Sequence, residues 1–353
     1  MQVLAGDIGG TKTLLAICEV SVASERPGAS IQVLAQSRYD SQKFPGLGAI
    51  CSAFAREQAR PMPRLAGFGV AGPVVNGRCH TTNLPWILDE KDLAQTLGID
   101  SVRLANDFHT LALGIEFVEA KDLVTLNEGT RDPRGPRAVI GAGTGLGEAI
   151  AILDARGQRE VLATEGGHCS FSPRTELEMG VLRFLCERYG HVSWERILSG
   201  DGLVNLAEAI AQVTGLKPGD ALLETFSHDR HNAPAAVTAG AAAGDALCKH
   251  ALALFCKLYG AEAGNFALKT LATGGVFVAG GIAPKLIDSL KDGRFRDAFF
   301  DKGRMRPLLE QMPVQVVLNT DAGLLGAAAL AARDVQAGDA QTRDVPTPIK
   351  RPR

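Results

Sequence analysis

Short apolar runs separated by glycine-rich turns divide the first third of the chain into strands and helices. Apolar and β-prone runs predict strands at residues 3–8, 13–20, 31–36, 65–70 and 102–105, with a polar hairpin near Asn76-Gly77. Helical spacing of apolar residues predicts helices at about residues 46–59, 90–97 and 109–117. This third of the chain is therefore predicted to be a three-stranded meander followed by alternating helices and strands.

A similar opening pattern returns in the second part of the chain. A polar segment at residues 127–137, with two prolines and two glycines, is predicted to be a domain junction. Strands at 138–142 and 148–153 then flank a tight glycine turn, which repeats the strand–turn–strand start of the chain. The further elements predicted are a mainly helical region at 174–271, strands at 276–279 and 314–318, a small-residue helix at 322–332 and a disordered polar tail after residue 335.

Composition narrows the class of protein. A length of 353 residues suggests two domains, and 46% hydrophobic residues are enough for more than one core. The formal net charge of −2 gives no general basic field for nucleic acid, and the longest run without charge, at 270–284, is too short for a membrane span. The N-terminus has no basic start, so no signal peptide is expected. Seven cysteines without a C-x-x-C pair indicate reduced thiols in a cytoplasmic protein.

The first glycine cluster suggests a phosphate-binding turn. It consists of Gly6, Asp7, Ile8, Gly9, Gly10 and Thr11. Glycines let backbone N–H groups approach an anion, and the threonine hydroxyl adds a donor. An aspartate at the end of a strand can hold Mg²⁺, usually through water. The spacing does not match a Walker A loop, and an ordinary glycine-containing hairpin is the alternative interpretation.

Two later glycine clusters extend this pattern. The turn after residue 142 contains Gly143, Thr144 and Gly145, but it lacks the third glycine of a dinucleotide fingerprint, and a strand follows it. A second phosphate-binding hairpin therefore fits better than a Rossmann turn. The strand at 276–279 ends in Gly280-Gly281, where flat backbone could pack against a purine ring. A purely structural turn is the alternative there.

Several polar residues are candidates for chemistry, each with a structural alternative. Asp107 follows Asn106 at a strand end, where it could accept a hydroxyl proton in phosphoryl transfer or serve as the N-cap of the next helix. Glu165 and His168 flank two glycines and could bind adjacent hydroxyls, although His168 could instead be a core histidine or a metal ligand. Glu195 could be a first-turn helix charge that complements the helix dipole.

Taken together, these features resemble the sugar-kinase, actin and heat-shock ATPase superfamily, and more closely the bacterial ATP-dependent glucokinases of the non-ROK group. The resemblance rests on eight stretches spread across the chain to about residue 330: 6–11, 69–86 (GVAGPVVNGRCHTTNLPW), 104–108, 141–147, 165–173 (EGGHCSFSP), 195–206 (ERILSGDGLVNL), 276–284 and 323–327. It implies an α/β fold of two ribonuclease-H-like, actin-like ATPase domains with a cleft between them. Their expected bounds are 1–117 plus 322–335 for the small domain and 118–321 for the large one, followed by a disordered tail at 336–353.

The resemblance also assigns roles to the candidate residues. It implies Asp107 as the catalytic base and, as sugar ligands, Asn106, Asp107, Glu165, His168 and Glu195. ATP would be bound by the turn at 6–11, by Gly143, Thr144 and Gly145, and by Gly280 and Gly281, with Mg²⁺ held through water at Asp7. Structural zinc is not expected, because the cysteine-rich motif of ROK kinases is absent after His168 and only Cys169 is nearby.

The function implied is transfer of the γ-phosphoryl group of ATP to the 6-hydroxyl of glucose. A kinase for another hexose or N-acetylhexosamine is the nearest alternative, and a non-catalytic actin-like ATPase module is the main non-enzyme one. The pair of Glu165 and His168, together with Asp107, argues against such a module, which needs no sugar site. No nucleic acid or membrane partner is expected, and the resemblance suggests a cytoplasmic homodimer.

Overall fold

The computed structural model describes residues 1–21, 30–58, 60–81, 84–155 and 157–343, without the side chains of residues 221 and 334–343. The chain divides into two compact units. The first unit comprises Met1–Val118 together with Asp321–Arg353, and the second comprises Glu119–Thr320. The part of the predicted disordered tail that follows residue 343 lies outside the described residues.

The first unit contains a main sheet of five strands and a small sheet of three strands. Its strands are β1 (Gln2–Ile8), β2 (Lys12–Ser21), β3 (Ser30–Asp40), β4 (Leu65–Val70), β5 (Val74–Val75), β6 (Arg78–His80), β7 (Ile87–Asp89) and β8 (Ser101–Asn106). Its first helices are α1 (Leu47–Gln58), α2 (Glu90–Leu97) and α3 (Asp107–Gly114). The main sheet has the order β3-β2-β1-β4-β8, with β1, β4 and β8 parallel.

The second unit contains the remaining elements except the last helix. Its strands are β9 (Leu123–Asn127), β10 (Arg137–Ala142), β11 (Leu146–Leu153), β12 (Arg159–Thr164), β13 (Gly275–Ala279) and β14 (Val314–Val317). Its helices are α4 (Glu176–Tyr189), α5 (Gly200–Thr214), α6 (Asp220–His228), α7 (Ala233–Ala243), α8 (Ala246–Thr270), α9 (Ile287–Lys291), α10 (Arg294–Phe300) and α11 (Arg306–Glu310). The sheet order is β12-β11-β10-β13-β14-β9.

The two main sheets share one topology. In each, three consecutive antiparallel strands (β1–β3 and β10–β12) are followed by two strands parallel to the first of the three. The second sheet adds β9 as an antiparallel edge next to β14. A glycine turn therefore follows β1 in one sheet and β10 in the other, which agrees with the repeated pattern in the sequence.

The first unit is completed by the last helix of the chain, α12 (Ala322–Arg343). Alternating side chains of β1 face two cores: Leu4 and Ile8 pack with α1, and Val3 and Ala5 pack with α12. Strand β4 also approaches α12 closely, because a Cβ on Gly67 would lie 2.1 Å from the carbonyl oxygen of Ala327. The small-residue helix is thus packed within the first unit.

Most predicted elements are present, and the differences lie mainly at boundaries. The strands β9 and β12 were not predicted. The polar segment at 127–137 lies inside the second unit, so it is not the junction, which falls between Val118 and Glu119. The last helix continues to Arg343, eight residues into the stretch for which no structure was expected.

Candidate functional site

In the first unit, three parallel strands end at one edge of the sheet. Pairing places Ile8 beside Val70 and Val70 beside Asn106. The carboxyl ends of parallel strands are where open α/β sheets bind ligands. Asp7 and Asp107 are therefore both held at this edge, each next to one of the paired residues.

The first glycine turn is fixed by a residue that the sequence did not reveal. Residues 9–11 connect β1 to β2, and the amide of Gly9 donates to the carbonyl of Lys12 at 2.9 Å. The buried hydroxyl of Ser41 donates to the carbonyl of Gly9 at 2.9 Å, and it lies 3.0 Å from the hydroxyl of Thr13. The Ser41 amide also donates to the carbonyl of Thr11. Ser41 therefore holds the turn in place from the end of β3.

Asn106, rather than Asp107, caps helix α3. The Oδ1 atom of Asn106 accepts from the amides of Phe108 at 2.9 Å and His109 at 3.4 Å, and its Nδ2 donates to the carbonyl of Gly72. Asp107 is the first residue of the helix. The alternative interpretation of Asp107 as the N-cap is therefore wrong, and its half-buried carboxylate lies at the positive end of the helix.

A group of carboxylates surrounds the end of β1. Burial, together with the negative charges of Asp107 and Asp321, raises the pKa of Asp7 to about 6. The Asp7 carboxylate also lies against the first turn of α12, because a Cβ on Gly323 would be 3.6 Å from its Oδ2 atom. Mutual repulsion of this kind is relieved by a cation, and Asp7 fits a position that faces Mg²⁺.

In the second unit, Glu195 is attached to the second glycine turn. Its Oε2 atom accepts from the amide of Leu146 at 3.0 Å, and a Cβ on Gly145 would lie 2.3 Å from the same atom. Helix α5 begins only at Gly200, with Ser199 as its N-cap. The interpretation of Glu195 as a first-turn helix charge is therefore wrong.

The residues Glu165–His168 form a short loop, which we call the 165–168 loop. Its last three residues are a 3₁₀ turn, Gly166–His168, packed on β11 so closely that a Cβ on Gly167 would lie 2.1 Å from the carbonyl oxygen of Leu146. The Glu195 amide donates to the carbonyl of Gly167 at 2.9 Å. The side chains of Glu165 and His168 are 80% and 61% exposed, and the Oε2 atom of Glu165 lies 3.8 Å from Nε2 of His168. His168 is thus not a core histidine.

The third glycine turn lies beside the second. Gly280 has a left-handed φ of 83°, and a Cβ there would lie 2.6 Å from the carbonyl oxygen of Ala142. The amide of Ile282 donates to that same carbonyl. Gly280 and Gly281 are therefore brought next to the turn that contains Gly143, Thr144 and Gly145, and glycine is required at position 280 by both conformation and space.

Within the described residues, no group of three or more histidine, cysteine, aspartate or glutamate side chains could hold a metal ion alone. A cation bound by carboxylate and nucleotide phosphates together would not need such a group. None of the helices described is long and apolar enough to cross a membrane.

Comparison with known proteins gives first the class and then the family. A crystal structure of glucokinase from an Antarctic psychrotroph matches with a TM-score of 0.81 and 30% identity, over 94% of this chain and 99% of that one. A ROK family glucokinase from Streptomyces griseus, in complex with glucose and AMPPNP, shares the fold with a TM-score of 0.62 at 24% identity, over 94% of this chain and all of that one. The fold is thus that of the sugar kinases.

The family follows from sequence. A family model described as Glucokinase matches residues 4–334. A curated glucokinase from Nostoc sp. is 42% identical over 343 residues, which cover 94% of this chain and 98% of the relative. The chain belongs to the glucokinase family, whose members are ATP-dependent hexose kinases. The resemblance stated from sequence is confirmed, and with it the prediction of an enzyme.

Proposed function

We propose that this protein transfers the γ-phosphoryl group of ATP to the 6-hydroxyl of glucose, with Asp107 as the catalytic base. The observation that carries the proposal for Asp107 is its position: the first residue of α3, at the strand edge that also holds Asp7. Membership of the glucokinase family supports the reaction itself.

Asp107 is suited to orient a hydroxyl and take its proton. Phosphoryl transfer to an alcohol is mainly a matter of positioning, with a carboxylate that accepts the hydroxyl proton as the bond to phosphorus forms. Because Asn106 provides the cap, the Asp107 carboxylate is not needed to begin the helix. Its Oδ1 atom accepts from the amide of Phe108 at 2.8 Å, which fixes its direction.

The sugar ligands proposed from the resemblance divide between the two units. In the second unit, the exposed side chains of Glu165 and His168 can accept and donate hydrogen bonds to adjacent hydroxyls. Glu195 uses Oε2 for Leu146, which leaves Oε1 for a ligand. In the first unit, Asn106 uses its amide mainly for capping, so its role toward sugar is limited to the second hydrogen on Nδ2 and to holding Asp107 in place.

The glycine turns are proposed to bind ATP. The turn at 6–11, the turn with Gly143 to Gly145, and the pair Gly280-Gly281 fit close approach of backbone to phosphates and adenosine, since nothing lies within 4 Å of the Cβ positions at Gly143 and Gly281. Asp7 would hold Mg²⁺ through water. When bound, the cation would neutralise phosphate charge, which the carboxylates Asp7, Asp107 and Asp321 cannot do.

Further parts of the proposal rest on the family resemblance. We infer that the two units are ribonuclease-H-like domains, which their common strand order supports, and that the protein is a cytoplasmic homodimer without structural zinc. The interdomain cleft remains a prediction.

A coupled assay tests the function. Purified protein with Mg²⁺ and ATP is given a panel of hexoses and N-acetylhexosamines, and ADP release is measured. We expect release that depends on sugar, with glucose as the best substrate. Best turnover with another sugar would transfer the proposal to that hexose, and ATP consumption unaffected by every sugar would favour the ATPase-module alternative.

A further inference from the structure

Glu148 is an ionisable residue inside the apolar core of the second unit. Its side chain is 2% exposed. In the pairing of β10 with β11 it lies opposite Ile140, and the pair of Ala142 with Leu146 is next to it on the same face. The alternation along β11 would place an apolar side chain here, so a glutamate at this position requires an explanation.

A second carboxyl group comes from helix α8. Glu262 is fully buried, and its Oε2 atom accepts from Nδ2 of Asn265 at 2.8 Å, while its Oε1 atom lies 3.4 Å from Nζ of Lys269. Burial raises the pKa of Glu262, and the interactions with Asn265 and Lys269 act in the opposite direction. By contrast, the Oε1 atom of Glu148 is buried without a hydrogen-bond partner among the described residues. Lys302 is a further cation that acts on Glu262.

The surroundings of Glu148 keep its carboxyl group protonated. Burial and the charge of Glu262 raise the pKa of Glu148 to about 8. At neutral pH the Glu148 carboxyl group is therefore protonated. An ionised carboxylate in a core, with no hydrogen-bond donor for one oxygen and a second carboxyl group as a neighbour, carries a large energetic cost.

Glu148 lies directly under the 165–168 loop. The Oε2 atom of Glu148 is 1.9 Å from the place where a Cβ on Gly166 would be, so the carboxyl group packs on the backbone of that glycine. Thr164 makes a second link, because its hydroxyl donates to the carbonyl of Glu148 at 3.0 Å and accepts from the amide of Gly166 at 3.2 Å. Glu148 thus contacts the loop through both its side chain and its main chain.

We propose that Glu148 is a positioning residue: a buried, protonated carboxyl group that holds the 165–168 loop and so sets the affinity for the hexose. The proposal rests on the proposed role of Glu165 and His168 as sugar ligands. When this proton is lost, Glu148 carries a charge in the apolar core with no hydrogen-bond donor for its Oε1 atom. Because Glu148 is in contact with Gly166, its displacement moves the loop that carries both ligands.

The pH dependence of sugar affinity tests the proposal. We would measure kcat, the KM values for glucose and ATP, and calorimetric glucose binding between pH 6.5 and 9.5, for the wild-type protein and for Glu148→Gln. In the wild type, the KM for glucose should rise about tenfold above pH 8, with the KM for ATP nearly constant. In Glu148→Gln, an N–H that does not titrate replaces the proton of Glu148, so the KM for glucose should stay within about twofold over the range.

Two further variants make the test specific. Glu262→Gln removes a charge that raises the pKa of Glu148, so the rise in the KM for glucose should shift to lower pH. This variant keeps the proposal testable if Glu148→Gln does not fold. Glu178→Gln is the matched control, since Glu178 is equally buried in this unit but is paired with Lys257 and caps α4. It should keep the wild-type profile.

Other ionisable groups are present in this unit, and the comparison of the wild type with Glu148→Gln separates their effects from that of Glu148. Burial and the charge of Arg174 lower the pKa of Lys302 to about 8, and burial raises the pKa of Tyr259. Both groups remain in Glu148→Gln, so a profile in that variant equal to the wild type would overturn the proposal while leaving glucose phosphorylation intact. A flat profile in Glu178→Gln would overturn it as well. Absence of any hexose phosphorylation by the wild type would instead contradict the proposed function itself.

Discussion

The hydroxyl of Tyr259 accepts a hydrogen bond of 3.0 Å from the amide of Ala142. It also lies 3.4 Å from the carbonyls of Ile140 and Ala279. Tyr259 thereby connects helix α8 to the ends of the parallel strands β10 and β13, immediately before the second and third glycine turns. One fully buried hydroxyl holds in place the two turns proposed to bind ATP in this unit.

Replacing Tyr259 by phenylalanine should therefore affect stability and nucleotide affinity together. The change leaves the buried amide of Ala142 without this partner, which costs about 1–3 kcal/mol of unfolding free energy. The KM for ATP should rise several-fold, and the KM for glucose should change little. Denaturant unfolding and steady-state kinetics measure both. Tyr39→Phe is the control, because Tyr39 donates to Glu57 at the surface of the other unit. Equal effects of the two changes would contradict the role of Tyr259.

Asp107→Ala should reduce turnover far more than stability. Loss of a positioned general base lowers kcat by about 10²–10⁴-fold, or roughly 3–5 kcal/mol at about 1.4 kcal/mol per tenfold. Glucose affinity should fall only modestly, since the other proposed ligands remain. Measuring kcat and the melting temperature on the same preparation separates catalysis from folding.

Asn106→Ala is expected to reduce stability, in contrast to Asp107→Ala, which should mainly reduce turnover. It removes the N-cap of α3, so we expect about 1 kcal/mol of lost stability. A variant Asp107→Ala that keeps most of its kcat would remove Asp107 from the mechanism, whatever the result at Asn106.

Asp7 makes the stability of the first unit depend on pH. Its pKa is about 6 in the folded protein, above the ordinary value of 3.8. The folded state therefore holds the proton more tightly, and its stability falls as pH rises from about 4 to about 6. Asp7→Asn should remove this loss and raise the unfolding free energy at pH 7 by about 1–3 kcal/mol, while weakening activity that depends on Mg²⁺. Thermal unfolding of the wild type and of Asp7→Asn at pH 4, 5, 6 and 7 measures this difference in stability. An equal gain in stability at pH 4 and pH 7 would contradict the role of Asp7 ionisation.

Helix α12 should tolerate no side chain at Gly326. A Cβ there would lie 1.6 Å from the carbonyl oxygen of Thr110, which is backbone of α3 and has no room to move away. Gly326→Ala should destabilise the protein by about 1–3 kcal/mol through overpacking. Gly46→Ala is the matched control in the same unit, because nothing lies within 4 Å of its Cβ position. Its effect should be below about 1 kcal/mol. Chemical denaturation of both variants decides whether close packing is the cause.

Sequence reasoning located the glycine turns and strand ends because their signals are local. The strand at Leu65–Val70 and the helix at Glu90–Leu97 were predicted with their observed bounds. The edge strands β9 and β12 were missed because each has several polar or exposed positions, and β9 pairs with a strand nearly two hundred residues later.

The site was harder to predict wherever a role depends on distant contacts. Ser41 acts on a turn about thirty residues earlier, and Tyr259 acts on an amide more than one hundred residues away. Neither residue belongs to a recognisable local motif. The capping role at the start of α3 was assigned one residue too late, since Asn106 and Asp107 are both good N-caps and only the geometry distinguishes them.

The return of the chain to the first unit has a consequence for biosynthesis. The apolar face of β1 and β2 that includes Val3, Ala5 and Ala16 is covered by α12, which begins roughly 200 residues after Val118. At about 5–20 residues per second, a ribosome needs on the order of 10–40 s to make the intervening segment. The contiguous second unit can fold in that interval, whereas the nascent N-terminal sheet stays uncovered. We therefore expect maturation to proceed from the middle of the polypeptide outward, with the N-terminal sheet most exposed to aggregation before the last helix is translated.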